Sequence, residues 1–359
     1  MSRRILGVGN MGAGAIPFGR DHGMDGVFVD IDPRCREAVA EKMCVPVYQT
    51  LDEALARHDD IVGAYVATPS HTHAEIAVRL AALNIPVFME KPLGINQAEC
   101  DAVRDAYARS KGWLQLDFEY RFSPLYAHAG ETLHSGELGE LRSIYMEYTV
   151  GPYGPDQGWR LDPAKCGGLF AEKLCHLVDL LRFWSRSEPA QVQVTAGPKS
   201  IPHYDPRGTD NLVAQFVMDS GVFAHLLHTH GSTAVPIHGR QHEADWTEYG
   251  HRLAAYLNTT EGCIRIDIWT RTITVIRRDG EHEMTPRIVR QVSYRHIPFN
   301  TAHHDMSGMV KDFVRRVHEH AGPRLPLEDS YKTMCIVCQC DRQLMESSLR
   351  ANAPFQRRS

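Results

Sequence analysis

The sequence predicts an α/β chain in two parts. A doubly wound parallel sheet comes first, followed by an α+β half built on a large open, mainly antiparallel sheet. Three observations carry this. The first 120 residues alternate short apolar runs with amphipathic stretches of helical period, the β-α-β grammar of a parallel sheet. After residue 120, longer runs follow one another across tight turns, an antiparallel signal. The length, 359 residues, exceeds what one ordinary core serves and suits two domains. The expected division is residues 1–120 and residues 121–359, with the last helix able to pack back on the first domain.

In order along the chain, "RILGVG" reads as a strand, "MGAGAIPFGRDHG" as a turn and short helix, and "GVFVDID" as a second strand. "PRCREAVAEKM" opens with a proline, as a first helical turn allows, and "LDEALARH" is helical. "DIVGAYVAT" is almost continuously apolar, as a strand buried on both faces requires. "HTHAEIAVRLAALN" is a helix, "IPVFME" a strand, "NQAECDAVRDAYARSKG" a helix closed by Gly112, and "WLQLDF" a strand. The second half offers the strands "RSIYMEYTVG", "NLVAQFVMD", "VFAHLLHTHG", "CIRIDIW" and "TITVIRRD", with turns at "DSG" and "RDG". A helix at about 167–185 interrupts them, and helices at about 303–320 and 327–349 close the chain.

Composition excludes several classes. Hydrophobic residues make up 43% and the net charge is −5. No basic run marks a nucleic-acid footprint. No apolar run reaches the ~18–20 residues of a membrane span. "MSRRILGVGN" enters its strand without the apolar stretch of a signal peptide, so a cytoplasmic protein is expected. Nine cysteines, an odd number, fit a reducing compartment. Cys335, Cys338 and Cys340 fall in a helical segment without Gly or Pro, where core packing outweighs metal binding; no metal is expected.

"GVGNMG" places Gly7, Gly9 and Gly12 in G-x-G-x-x-G spacing, with Asn10 and Met11 between them, after a strand and before a helix. In a Rossmann domain the first glycine makes the turn and the second lets the backbone approach a pyrophosphate. The third admits close helix–strand packing. The second strand ends at Asp30, whose carboxylate can accept hydrogen bonds from ribose hydroxyls and repel a 2′-phosphate. Ile31 follows it, and Arg34 stands beyond Pro33, so NAD is expected over NADP.

"KLCHLVDLLRFW" sets ionisable groups in a helix that otherwise reads as buried. Glu172, His176 and Asp179 stand at i, i+4 and i+7, one helical edge. Two readings follow from these residues alone. His176 is a catalytic group, or it is a core histidine satisfied by Asp179.

The segment "VATPSHTHAEIAVRLAALNIPVFMEKPLGIN", taken with "GVGNMG" and "WRLDPAKCGGLFAEKLCHLVDLLRFW", resembles the Gfo/Idh/MocA oxidoreductases. The resemblance spans most of the first 190 residues; beyond them only the strand pattern extends it. It implies that Thr68 and Pro69 border the nicotinamide side, with His73 nearby, and that Glu90 and Lys91 end a strand where ligands bind. It also implies a cis bond at Lys91–Pro92, with Lys91 and His176 as the catalytic lysine and histidine. Glu172 stands where the family often has aspartate, and is expected to orient His176. Lys173 replaces a commonly apolar residue, and the histidine often found after the glycine loop is missing.

Alcohol oxidation moves a hydride to nicotinamide and a proton to a base with a pKa near working pH. Lysine, ordinarily at ~10.4, serves only if burial and positive charge lower it. Lys91 and His176 could share the proton. A polar substrate would be held by Tyr120, Arg121, Tyr153, Trp159, Arg160 and Lys173, although Arg121 and Arg160 could instead serve an interdomain salt bridge. His303 and His304 could line a pocket or cap a helix. The expected function is NAD-dependent oxidation of a secondary hydroxyl of a sugar, cyclitol or glycoside. The alternatives are an NAD-retaining, redox-cycling glycosidase, a reductase of C=N or C=C bonds, and a non-catalytic NAD sensor. A homo-oligomer, dimer or tetramer, is expected to cover the open sheet.

Overall fold

The computed structural model describes residues 3–9, 25–151, 159–160, 162–201, 209–230, 251–278 and 285–351. The chain divides into two compact units. One comprises residues 1–118, 164–167 and 306–338; the other comprises 119–163, 168–305 and 339–359.

The first unit is built on six parallel strands: β1 (Arg4–Val8), β2 (Gly26–Val29), β3 (Val47–Tyr48), β4 (Ile61–Val66), β5 (Val87–Met89) and β6 (Leu114–Leu116). Their order, β3-β2-β1-β4-β5-β6, reverses direction between β1 and β4, as in the doubly wound dinucleotide fold. The central strands are apolar on both faces, as a parallel sheet covered by helices requires. Leu6, Phe28, Ala64, Val87 and Phe88 are wholly buried. Local chemistry sets the helix starts. Asp32 caps Pro33–Met43 by accepting from the Arg34 N–H, and Thr50 and Glu53 form a capping box on Leu51–Arg57. Helix Met306–His318 packs on this sheet through Phe313, whose ring lies 5.9 Å from that of Phe88. Gly63 eases that packing, since a Cβ would crowd Phe313 and Val317 at 3.1 Å.

The second unit holds an eight-stranded sheet in the order β14-β13-β12-β11-β7-β10-β9-β8. Its strands are β7 (Leu141–Val150), β8 (Pro189–Ala196), β9 (Asn211–Met218), β10 (Phe223–His230), β11 (His251–Thr259), β12 (Gly262–Asp267), β13 (Thr272–Arg278) and β14 (Pro286–Ser293). Neighbours are antiparallel except β7 and β10, which run parallel. One face is buried in strict alternation: Leu212, Ala214, Phe216 and Met218 on β9, then Ala224, Leu226, His228 and His230 on β10. The architecture is the α/β class the sequence predicts.

The helix expected at about 167–185 has two parts, a π-helical turn Phe170–Leu174 and an α-helix Cys175–Ser185. Its start is held from the last helix, Leu327–Ala351. Asp341 accepts from the Phe170 and Ala171 N–H groups at 2.9 and 2.8 Å. Gly168 makes room for this. At φ +132° it has no Cβ, and one would stand 2.4 Å from Asp341 Oδ1.

No disulfide joins any of the nine cysteines, and Cys338 and Cys340 are buried within the last helix. Among the described residues no helix is long and apolar enough to cross a membrane. The segment "MGAGAIPFGRDHG" and the "RDG" turn lie largely outside the described residues.

Candidate active site

In the first unit, Gly7 is buried within β1 and paired between β2 and β4. Gly9 ends the strand at φ +77°, its N–H donating to Val29 at 2.8 Å. A Cβ on Gly9 would lie 2.5 Å from Thr68 Cγ2 and 2.9 Å from Thr68 Cα, so only glycine fits. Asn10, Met11 and Gly12 lie outside the described residues. Asp30 follows β2, with Oδ1 accepting from the Asp32 N–H at 2.8 Å. Ile31 is 83% exposed. Arg34 is bound to Asp32 at 3.0 Å, not directed to an incoming phosphate. A glycine ending β1 and a carboxylate after β2 fit a dinucleotide whose ribose carries no 2′-phosphate.

Thr68 and Pro69 follow β4 and lead into helix His73–Ala82, with the Thr72 hydroxyl donating to Thr68 Oγ1 at 2.7 Å. His73 is a brace. Its Nδ1 is 2.7 Å from the Pro92 carbonyl and its Nε2 2.8 Å from the Thr68 carbonyl, and burial pushes its pKa down. It therefore ties the T-P segment to the E-K-P segment, a use of histidine that the expected cofactor contact does not include. Glu90 accepts from the Tyr65 hydroxyl at 3.4 Å, and Lys91–Pro92 is cis. Lys91 is partly exposed at the end of β5.

In the second unit, helix Cys175–Ser185 packs on the 3-10 turn Glu119–Phe122, and the two bring a set of buried polar groups together. His176 Nδ1 lies 3.3 Å from Glu119 Oε2. Glu119 Oε1 accepts from His304 Nδ1. The Tyr120 hydroxyl stands 3.2 Å from His304 Nε2 and 3.1 Å from His303 Nε2, and the Tyr126 hydroxyl 2.7 Å from His303 Nδ1. The Tyr120 ring stacks on His176 at 4.4 Å and 14°. Burial alone would raise the Glu119 carboxyl, but His176 and His304 outweigh it and the net direction is down, toward the carboxylate. Burial drives Tyr120 and Tyr126 well above the usual phenol range, so both keep their protons.

The ion-pair partners of the other acidic groups differ from those expected. Glu172, expected to orient His176, pairs with Arg160 at 2.9 Å. It lies in the π-helical turn Phe170–Leu174, whose wider winding departs from the α-helical i, i+4 spacing. Asp179, the other expected partner of His176, is held by an arginine. It is bound bidentately by Arg121, whose guanidinium also lies over Phe183 at 5.5 Å. That salt bridge lies within the second unit. Tyr120 and Arg121, expected to face substrate, are therefore part of the frame: Tyr120 is buried and hydrogen-bonded, and Arg121 is committed to Asp179. Arg160 also lies 5.7 Å from the Trp159 ring, and Lys173 Nζ 5.8 Å from the Tyr148 ring. Tyr153 lies outside the described residues.

Sequence reasoning missed Glu119, Tyr126, His228 and His230. The last two point inward from β10 with rings 4.9 Å apart, and burial lowers both, His230 to about 4. The alternation of "HLLHTH" carries that signal, since i and i+2 share a strand face. Glu119 carries no such signal, because it sits in a turn.

Comparison with known proteins agrees with this geometry. Residues 3–118 match the model of the oxidoreductase family's NAD-binding Rossmann fold, and residues 126–243 the model of the GFO/IDH/MocA C-terminal domain. Inositol 2-dehydrogenase of Rhizobium meliloti (strain 1021) is 28% identical over 195 residues, covering 54% of this chain and 57% of that protein. The chain spans about half the length of the curated relatives it matches. Among solved structures, myo-inositol 2-dehydrogenase from Lactobacillus plantarum superposes with a TM-score of 0.75 at 18% identity, covering 98% of both chains. Levoglucosan dehydrogenase, in complex with NADH and levoglucosan, gives 0.75 at 19% identity over 98% of both chains. At these identities the two structures share the fold. With one family's models matched in both halves, this chain belongs to the GFO/IDH/MocA oxidoreductase family, and its first half is an NAD-binding Rossmann domain.

Proposed function

We propose that the chain is an NAD-dependent dehydrogenase that oxidises a secondary hydroxyl of a sugar, cyclitol or glycoside, with Lys91 and His176 as its acid–base groups. When bound, NAD supplies the hydride acceptor. Gly7 and Gly9 give its pyrophosphate a close backbone approach, and Asp30 takes the ribose hydroxyls. The observation that carries the reading is His176, a buried imidazole with a carboxylate 3.3 Å from its Nδ1. A histidine so held can take the hydroxyl proton as the hydride leaves the same carbon. Relatives named for inositol and levoglucosan put cyclitols and sugars first among substrates to try. A reducing, cytoplasmic setting is part of the same reading. The test is incubation with NAD and a panel of inositols, sugars and glycosides, followed by NADH absorbance. NADH with one of them is expected. Tightly co-purified NAD with no net NADH would favour the redox-cycling alternative, and no bound NAD and no turnover would sink both.

We also infer a homo-oligomer, dimer or tetramer, from the outward face of the second sheet. Tyr256 on β11, Tyr145 on β7 and His225 on β10 stand in register across it, with Phe223 and Leu227 beside them and all four large apolar residues exposed. Such a patch needs cover. Light scattering should give a multiple of the chain mass, and a monomer at every concentration would refute it.

A further inference from the structure

We propose that Glu119 is the positioning carboxylate of His176, fixing the imidazole with its proton on Nδ1 and pairing with the imidazolium that forms when the other nitrogen takes the substrate's proton. This rests on the dehydrogenase reading for its chemistry, but its geometry stands within the second unit.

The argument begins with solvation. Glu119 is buried, and a buried carboxylate is sustained by donors and positive charge, not by water. Its two oxygens face two histidines: Oε1 is bound by His304 Nδ1, and Oε2 lies 3.3 Å from His176 Nδ1, an ion-pair contact whose angles fall short of a hydrogen bond. With Glu119 ionised, His304 carries a hydrogen on Nδ1 toward it. Behind His304, the Tyr120 hydroxyl lies 3.2 Å from His304 Nε2 and 3.1 Å from His303 Nε2, and the Tyr126 hydroxyl 2.7 Å from His303 Nδ1, so the two rings are held in place from the far side. The histidines facing Glu119 outweigh its burial and hold it toward the carboxylate.

An ionised carboxylate can only accept, so its place beside His176 Nδ1 favours the Nδ1–H tautomer. Nε2 then keeps the lone pair. In the reaction the hydroxyl O–H bond breaks and its proton forms a bond to Nε2, while the carbinol C–H bond breaks and its two electrons leave as hydride to NAD. The resulting imidazolium lies beside Glu119. Rotation of the ring is opposed by Tyr120, stacked on it at 4.4 Å. Two other carboxylates of this unit have arginine partners, Glu172 with Arg160 and Asp179 with Arg121. Tyr120, Tyr126 and Tyr148 are held in the phenol form by burial, and His303 stands between the Tyr120 and Tyr126 hydroxyls. Glu119 is thus the carboxylate placed to respond when His176 changes charge.

The test uses the full chain with its histidines labelled with 15N, whose spectra separate Nδ1–H from Nε2–H tautomers. His176→Asn assigns the signal. The wild-type chain should show His176 as Nδ1–H. In Glu119→Gln the signal should switch to Nε2–H, or titrate about one pH unit or more lower, as loss of an opposite charge requires. Glu119→Asp should restore the Nδ1–H form. An Nε2–H wild type, or a tautomer and midpoint unmoved in Glu119→Gln, overturns the proposal. The wild-type tautomer needs no Glu119 variant, so a Glu119→Gln chain that fails to fold leaves the test decisive. On a substrate from the panel, kcat of Glu119→Gln should fall at least ~100-fold with KM little changed, the pattern of a base held in the wrong tautomer. A panel that yields no NADH would sink the dehydrogenase reading and leave the tautomer result standing.

Discussion

Glu119 and Glu172 are two buried carboxylates of one unit, and they keep different company. Glu119 faces His176 and His304; Glu172 faces Arg160. An arginine stays charged at any working pH, so the Glu172 pair is a fixed element that stabilises or destabilises but does not switch. A histidine changes charge near neutrality, so the Glu119 site can give and take a proton. Identical side chains at similar burial therefore serve different ends, and the partner decides which.

The largest expected effect asks whether the histidine-flanked region reacts at all. His176→Ala and Lys91→Ala should each cut turnover by at least ~10²-fold, the scale of a lost acid–base group. NAD affinity should change little, because Gly7, Gly9 and Asp30 are untouched. The double variant should lose less than the two single losses combined, if both serve one proton. Near-normal turnover in either single variant on the true substrate would remove that residue from the chemistry.

Exchanging each glutamate for glutamine sharpens the contrast. Glu119→Gln should move the acid limb of the kcat/KM profile to lower pH, because the imidazolium loses its counter-charge. Glu172→Gln should leave that limb in place and instead destabilise the fold by about 1–3 kcal/mol, since Arg160 keeps its charge and loses its partner. Comparing pH–rate profiles and melting curves of the two variants decides it. A limb that moves in Glu172→Gln and not in Glu119→Gln would reverse the assignment made from the distances.

The sequence made the parallel half legible because its signals are local. An apolar strand, a glycine turn and a capped helix each lie within a few residues, and β1, β2, β4, β5 and β6 were all readable. Strand β3 is two residues long and makes no run. In the second unit β8, β11 and β14 escaped for separate reasons. β8 alternates glutamine with valine after a proline, and "LAAYL" in β11 suits a helix as well as a strand. β14 is an arginine-rich edge exposed almost throughout. The candidate site was legible only where a motif points to it, at Gly9, Asp30, Lys91 and His176. It was illegible where a turn or π-helical winding sets the geometry. The i, i+4 rule linked Glu172 to His176, but Glu172 lies in the wider turn Phe170–Leu174, where that rule does not hold, and pairs with Arg160.

A third carboxylate tests the comparison where no histidine or arginine fixes its role. Asp30 should act on cofactor choice alone. NAD should bind at least ~10-fold tighter than NADP, a difference of roughly 1.4 kcal/mol. Asp30→Ala combined with Ile31→Arg should shift preference toward NADP, because an exposed guanidinium would stand where the 2′-phosphate arrives. Titration with both cofactors checks this. Equal affinities in the wild-type chain would remove the argument, and a shifted pH–rate limb in the variant would show that Asp30 does more than select.

A fourth carboxylate, Asp341, should affect turnover least and stability most visibly. It accepts two backbone N–H groups at the start of the site helix, with no cation among its hydrogen-bond donors. Burial pushes its carboxyl from the ordinary 3.8 up to about 7, although the two N–H groups pull the other way. The folded chain therefore holds a proton between about pH 4 and pH 7 that the unfolded chain has released. Stability from this group is fully present below about pH 4, falls as pH rises through that window, and is level above it. The shift corresponds to roughly 4 kcal/mol at most. Asp341→Asn keeps an acceptor for the helix and has no proton to lose. Its melting temperature, measured against wild type from pH 5 to pH 8, should gain on wild type by a few degrees as pH rises. A difference that stays constant across that range would mean that Asp341 is ionised throughout, with the two N–H groups outweighing its burial.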